Sequence, residues 1–167
     1  MAETIENNVR RLIIDEMAVN PKYYERMSEL LDALITERKR QALDYKAYLA
    51  RLVELTKQVS NPATQTTYPI AISNAPLRAL FDNLQDVADL EERLLRLGAV
   101  AEKHPDITAA EQAAVALDKA IRGVKKADWR GNRFKEREVR NAVQSVLGDD
   151  GVLVDTVFEI VKNQRAY

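Results

Sequence analysis

An all-α fold, an irregular bundle of about seven to eight helices, is what this sequence predicts, on three observations. Apolar residues recur at helical spacing along most of the chain. Five glycines and five prolines in 167 residues leave few places for sharp turns, so the helices should be long. The one stretch without helical period, residues 61–75, carries Pro62 and Pro69 and is rich in Thr, Ser and Asn. Proline argues against a central strand there, and no second strand-like run exists to pair with it. It reads as an extended surface crossing, with Tyr68-Pro69-Ile70 docking locally. Hydrophobic residues at 46% against 31% charged fit a folded protein with one core. The length suits a single domain, 1–167.

Each helix has its own signals. Ile5, Val9, Leu12, Ile13 and Met17 form one stripe of a helix from about Glu3 to Val19. Because that helix starts almost at the first residue, the chain is expected to be a piece of a longer protein. Asn20-Pro21 restarts the helical pattern: Asn caps, and Pro at the first helical position loses no hydrogen bond. Tyr24, Met27, Leu31, Leu34 and Ile35 face inward, and Glu37-Arg38-Lys39-Arg40 is a solvated end with cations suited to a helix C-terminus. Asp44 caps a third helix with face Tyr45, Tyr48, Leu49, Leu52, Val53 and Val59, antiparallel to the second. After Asn74-Ala75-Pro76, Leu77, Leu80, Phe81 and Leu84 start a helix that Val87, Leu90, Leu94 and Leu97 continue to about Lys103, with a bend near Asp86. His104-Pro105 closes it.

Thr108-Ala109-Ala110-Glu111 is a capping box. It opens a helix with Ala110, Ala113, Ala114, Leu117, Ile121 and Val124 inward, ending near Lys126. Val139, Ala142, Val143, Val146 and Leu147 mark the next, stopped by Gly148. Leu153, Val157, Ile160 and Val161 mark the last. Between the Ala-rich helix and its successor lies Asp128-Trp129-Arg130-Gly131-Asn132, read as a structural corner. Gly131 permits a positive φ, Asn132 caps the following helix, and the only tryptophan, Trp129, pins the corner by burial.

Most catalytic classes find no residues. Zero cysteines exclude disulfide and thiol chemistry, and a lone His104 leaves no zinc site. His104 also lacks a Ser or Asp constellation and reads as a loop residue. Leu12-Ile13-Ile14-Asp15-Glu16 superficially resembles a strand with paired Mg²⁺ carboxylates, but the chain has no phosphate-cradling Gly-x-x-x-x-Gly-Lys and the spacing is helical. Asp32 with Glu37-Arg38-Lys39 lies along one helix rather than on strand ends, so a nuclease site is not expected. The six tyrosines lie mostly at helical spacing and read as core or rim. No apolar run of about 18 residues could span a membrane, and Met1-Ala2-Glu3-Thr4 lacks the basic start and apolar run of a signal peptide, so the expected location is cytoplasmic.

The charge is unevenly spread. Lys119, Arg122, Lys125, Lys126, Arg130, Arg133, Lys135, Arg137 and Arg140 face only Asp128, Glu136 and Glu138 between 119 and 140, a local +6 within a chain of net −1. Lys125, Lys126, Arg130, Arg133, Lys135 and Arg137 are therefore the candidate contacts to a partner or to DNA. Arg133 and Lys135 would stand in a helix's first turn, where the dipole disfavours cations. The competing reading is local neutralisation, including a Glu136–Arg140 pair at i, i+4.

Several segments in order carry a resemblance: Ile5 to Ile14, Asn20-Pro21-Lys22-Tyr23-Tyr24, Leu77-Arg78-Ala79-Leu80-Phe81-Asp82-Asn83-Leu84, Asp128-Trp129-Arg130-Gly131-Asn132, Phe134-Lys135-Glu136, and Val161-Lys162-Asn163-Gln164 running to Tyr167. Together they resemble the C-terminal helical domain of the R (restriction, motor) subunit of type I restriction-modification enzymes, over nearly the whole chain. The resemblance implies a non-catalytic fragment of an ATP-dependent site-specific deoxyribonuclease. Its role would be to dock the DNA translocase onto the methyltransferase core. ATP and Mg²⁺ belong to the parent's motor domains; no cofactor, metal or catalytic residue is expected here. The implied partners are the methyltransferase and specificity subunits and the parent's motor domains. The alternative is an accessory DNA-backbone contact through residues 119–140.

Overall fold

The computed structural model describes residues 1–65 and 67–167, without the side chains of residues 64 and 65. The fold is all-α: nine helical segments and no strand among the described residues, one of the nine being a single turn. In chain order they are α1 (Ala2–Glu16), α2 (Pro21–Lys39), α3 (Tyr45–Ser60), α4 (Pro62–Gln65), α5 (Ala75–Leu84), α6 (Leu90–Arg96), α7 (Ala109–Val124), α8 (Arg133–Leu147) and α9 (Gly151–Lys162). Where one core was expected over 1–167, the chain divides into two compact units, Met1–Tyr68 and Pro69–Tyr167.

In the first unit α1, α2 and α3 pack on one another around Val9, Ile13, Tyr24, Met27, Leu31, Leu34, Tyr48, Leu52 and Val59. The caps are those expected: the Asn20 side chain accepts from the Tyr23 amide at 3.3 Å, Pro21 is the first helical residue, and Asp44 accepts from the Ala47 amide at 2.7 Å. The start of α2 meets the end of α3, where the Tyr23 hydroxyl donates to the Gln58 carbonyl at 2.6 Å. The end of α2 meets the start of α3 through Glu37 and Arg51 at 2.9 Å, so the pair is antiparallel.

The inward face of α3 is shifted from the expected one. Tyr45 and Val53 are exposed, and Leu55 is buried instead. The stripe Tyr48, Leu52, Leu55, Val59 follows i, i+4, i+7, i+11, whereas Val53 lies about 100° beyond Leu52. Tyr45, at the helix start, meets the Arg38 guanidinium 5.2 Å from its ring centre. α1 stops at Glu16 rather than Val19.

The expected extended crossing at 61–75 is only partly extended. Pro62 opens the turn α4, where its missing N–H costs nothing, while Thr66 lies outside the described residues. Of Tyr68-Pro69-Ile70, Ile70 is 99% exposed, and the residue that docks is Ile72, held in a turn by its amide bond to the Pro69 carbonyl at 2.9 Å.

In the second unit α7 is central, packing on α5, α6 and α8, while α9 packs on α8 and α5. Ala110, Ala113 and Ala114 are buried on α7, where small side chains let neighbouring backbones approach. The single helix expected from Leu77 to Lys103 is two. α5 ends at Leu84, Asp89 takes a left-handed φ of 56°, and α6 stops at Arg96. Gly98, at φ 71°, closes α6 as its amide and that of Ala99 return to the Leu95 and Leu94 carbonyls. α7 likewise ends at Val124, not Lys126, because Lys125 turns extended.

Candidate functional site

The corner between α7 and α8 is built as the residues suggested. Gly131 stands at φ 80°, the left-handed region that glycine enters freely. The Asn132 side chain accepts from the Phe134 amide at 3.1 Å and the Lys135 amide at 3.2 Å, satisfying donors that the first helical turn leaves open. Trp129 is 1% exposed and packs its ring against Phe158 of α9, with centroids 6.2 Å apart.

What holds the indole comes from far along the chain. Its Nε1–H donates to the backbone oxygen of Tyr167 at 3.1 Å, and the Lys125 ammonium donates to the same oxygen at 3.4 Å. Arg130 lays its guanidinium over the Trp129 ring, 4.7 Å from the centroid. The same group donates to the Lys162 carbonyl at 2.7 Å and to the Gln164 carbonyl. It thus caps the C-terminal end of α9, where carbonyls lack helical partners and the dipole favours a cation. Tyr167 is itself buried: its hydroxyl donates to the Asp118 carboxylate, and Arg122 stacks 5.1 Å from its ring while pairing with Asp118 at 3.0 Å. Burial, then the bond to Asp118, raises the Tyr167 hydroxyl above its ordinary ionisation range. Asp118, Gln164 and Tyr167 were not marked as corner residues by sequence reading, since nothing local to residues 118 or 164–167 points toward position 129.

The candidate cations separate into two groups. Lys125 and Arg130 bind the backbone of the 162–167 segment; Lys126 pairs with Glu138 at 3.1 Å; Lys135 donates to the Ala127 carbonyl at 2.8 Å, tying the corner across itself. That last bond explains a cation in the first turn of α8 without an external anion. The expected Glu136–Arg140 pair does not form: Arg140 reaches Asp155 on α9. Glu136 instead accepts from the Gly131 amide at 2.8 Å and pairs with Lys162 at 3.6 Å. The Gly131 N–H, then Lys162, hold its carboxyl below the usual glutamate range despite some desolvation. Arg133 and Arg137 are exposed and carry no hydrogen bond or ion pair among the described residues. Phe134, absent from the expected contacts, lies between them at 81% exposure.

The rest of the surface offers little chemistry. Among the described residues no group of three or more His, Asp or Glu is placed to hold a metal ion, and no helix is long and apolar enough to cross a membrane. No protein-family model, curated protein or solved structure matches the chain.

Proposed function

We propose that this chain is a non-catalytic assembly domain, the C-terminal helical domain of a type I restriction enzyme motor subunit. In that role it docks the ATP-dependent DNA translocase and endonuclease onto the methyltransferase and specificity subunits, in the bacterial cytoplasm. The observation that carries the reading is the interlock of two segments on which the resemblance rests. Asp128 to Asn132 and Val161 to Tyr167 are joined through the Trp129 and Arg130 hydrogen bonds. The two segments thus form one built corner. Six of the nine basic residues between 119 and 140 are engaged by the chain's own carbonyls or carboxylates. This favours docking over the alternative, an accessory DNA-backbone contact, which needs a row of cations free to meet phosphates.

The test is competition. The chain should displace the full-length motor subunit from its methyltransferase and reduce ATP-driven translocation while leaving methylation intact. Binding to duplex DNA that weakens steeply with salt, without any competition, would instead support the backbone-contact reading. Neither result would end both.

A further inference from the structure

α8 presents an outward face that the domain itself does not use. Successive helical residues are turned by about 100°, so Arg133, Phe134 and Arg137 fall within one arc of about 100°. They lie on the side opposite the buried Val139, Val143 and Val146. Phe134 is 81% exposed, and both arginines are exposed and unpaired among the described residues. The neighbouring acid Glu138 is taken by Lys126 at 3.1 Å, and Glu136 by Gly131 and Lys162 on the other flank. The face therefore carries an uncancelled double positive charge around a bare phenyl ring.

We propose that Arg133, Phe134 and Arg137 form the anchor of the docking surface, and that its partner is a protein patch with an apolar pocket rimmed by carboxylates. Charge complementarity selects the rim: guanidinium groups pair bidentately with carboxylates. The phenyl selects the pocket, since aromatic and arginine side chains supply most of the anchoring at protein interfaces when water is excluded around them. A nucleic acid is the poorer fit, because the remaining cations of the corner are bound internally and two guanidinium groups offer phosphates only a short contact. The inference rests on the assembly reading for the partner's identity but not for its chemistry.

The test uses the full chain against the immobilised methyltransferase complex, as wild type, Phe134→Ala, Arg137→Glu and the double variant Arg133→Glu/Arg137→Glu. All three positions are exposed, so thermal unfolding midpoints should stay unchanged and report that each variant folds. Phe134→Ala should weaken binding by about tenfold or more at low and at high salt. The arginine reversals should weaken it by a similar factor at low salt, and less at about 0.5 M salt, where charge is screened. Wild-type binding that none of the variants alters overturns this inference and leaves the assembly reading standing. Should the wild type not bind the complex, the assembly reading fails, and a second probe decides the surface. A synthetic glutamate–leucine peptide, compared with its lysine–leucine counterpart, is titrated while backbone amide shifts are followed. Shifts at residues 133–137 with the acidic peptide alone support the inference; shifts elsewhere, or none, overturn it. An oligonucleotide bound through Arg133 and Arg137 more tightly than the acidic peptide also overturns it, making the face a nucleic-acid site.

Discussion

Replacing Trp129 by alanine tests whether the corner is the structural centre of the second unit. The side chain is 1% exposed. An indole of this kind removes about 150–250 Å² from water, which at about 25 cal/mol per Å² corresponds to about 4–6 kcal/mol. The unfolded chain already buries part of that area, which lowers the figure. The lost Nε1–H bond to the Tyr167 oxygen and the lost stacking of Arg130 raise it again. Large aromatic truncations in cores cost about 3–5 kcal/mol, and the upper half of that range is expected here. Against a typical domain stability of about 5–15 kcal/mol this is a large fraction. Urea unfolding followed by far-UV circular dichroism measures it. Trp129 is the only tryptophan, so wild-type fluorescence independently reports the transition of the second unit. Trp129→Phe separates the two contributions: it keeps most of the ring's burial, loses the N–H, and should cost about 1–2 kcal/mol. An alanine variant whose midpoint matches wild type would refute the argument.

Three further outcomes follow from the same geometry. Gly131→Ala should destabilise by about 1–2 kcal/mol purely through its φ of 80°, because a Cβ there meets nothing within 4 Å; a null result in thermal unfolding would mean the backbone relaxes out of the left-handed region. Asn132→Ala removes the acceptor for two amides and should cost about 1 kcal/mol in urea unfolding, whereas Asn132→Asp should cost little; equal losses for both would argue against the cap. The third outcome concerns alkaline pH. The Tyr167 hydroxyl has its ionisation raised in the fold, so the native state keeps a proton that the unfolded chain releases. That contribution is complete below the ordinary tyrosine value of 10.0 and declines as pH rises beyond it. Tyr167→Phe should flatten the loss of stability above about pH 10, and an unchanged alkaline limb would remove Tyr167 as its source.

How much was legible in the residues can be judged element by element. Caps read well because they are local chemistry: Asn20, Asp44, Thr108 and Asn132 each accept from an amide two or three positions on, so the sequence interval contains the whole interaction. The corner Trp129-Arg130-Gly131-Asn132 was placed for the same reason. Helix length was less legible where periodicity runs on in phase. The apolar spacing Leu84, Val87, Leu90, Leu94 runs on in steps of three and four, yet Asp89 and Gly98 adopt positive φ and cut the segment to α6.

The candidate surface shows the same division. Composition alone identified residues 119–140 as basic and set Lys125, Lys126, Arg130, Arg133, Lys135 and Arg137 apart. Which of them are spent inside the fold depends on the 162–167 segment, on Ala127 and on Glu138 arriving within hydrogen-bond distance. Those encounters join residues from 8 to 42 positions apart. The sequence by itself determined the helical class, the caps and the charge asymmetry, because spacing and short-range hydrogen bonding act over a few residues. Only the tertiary structure decided that the chain forms two units, that Tyr167 closes on Trp129, and that Arg133, Phe134 and Arg137 are left facing out. Those outcomes depend on which distant groups a helix face meets once it is packed.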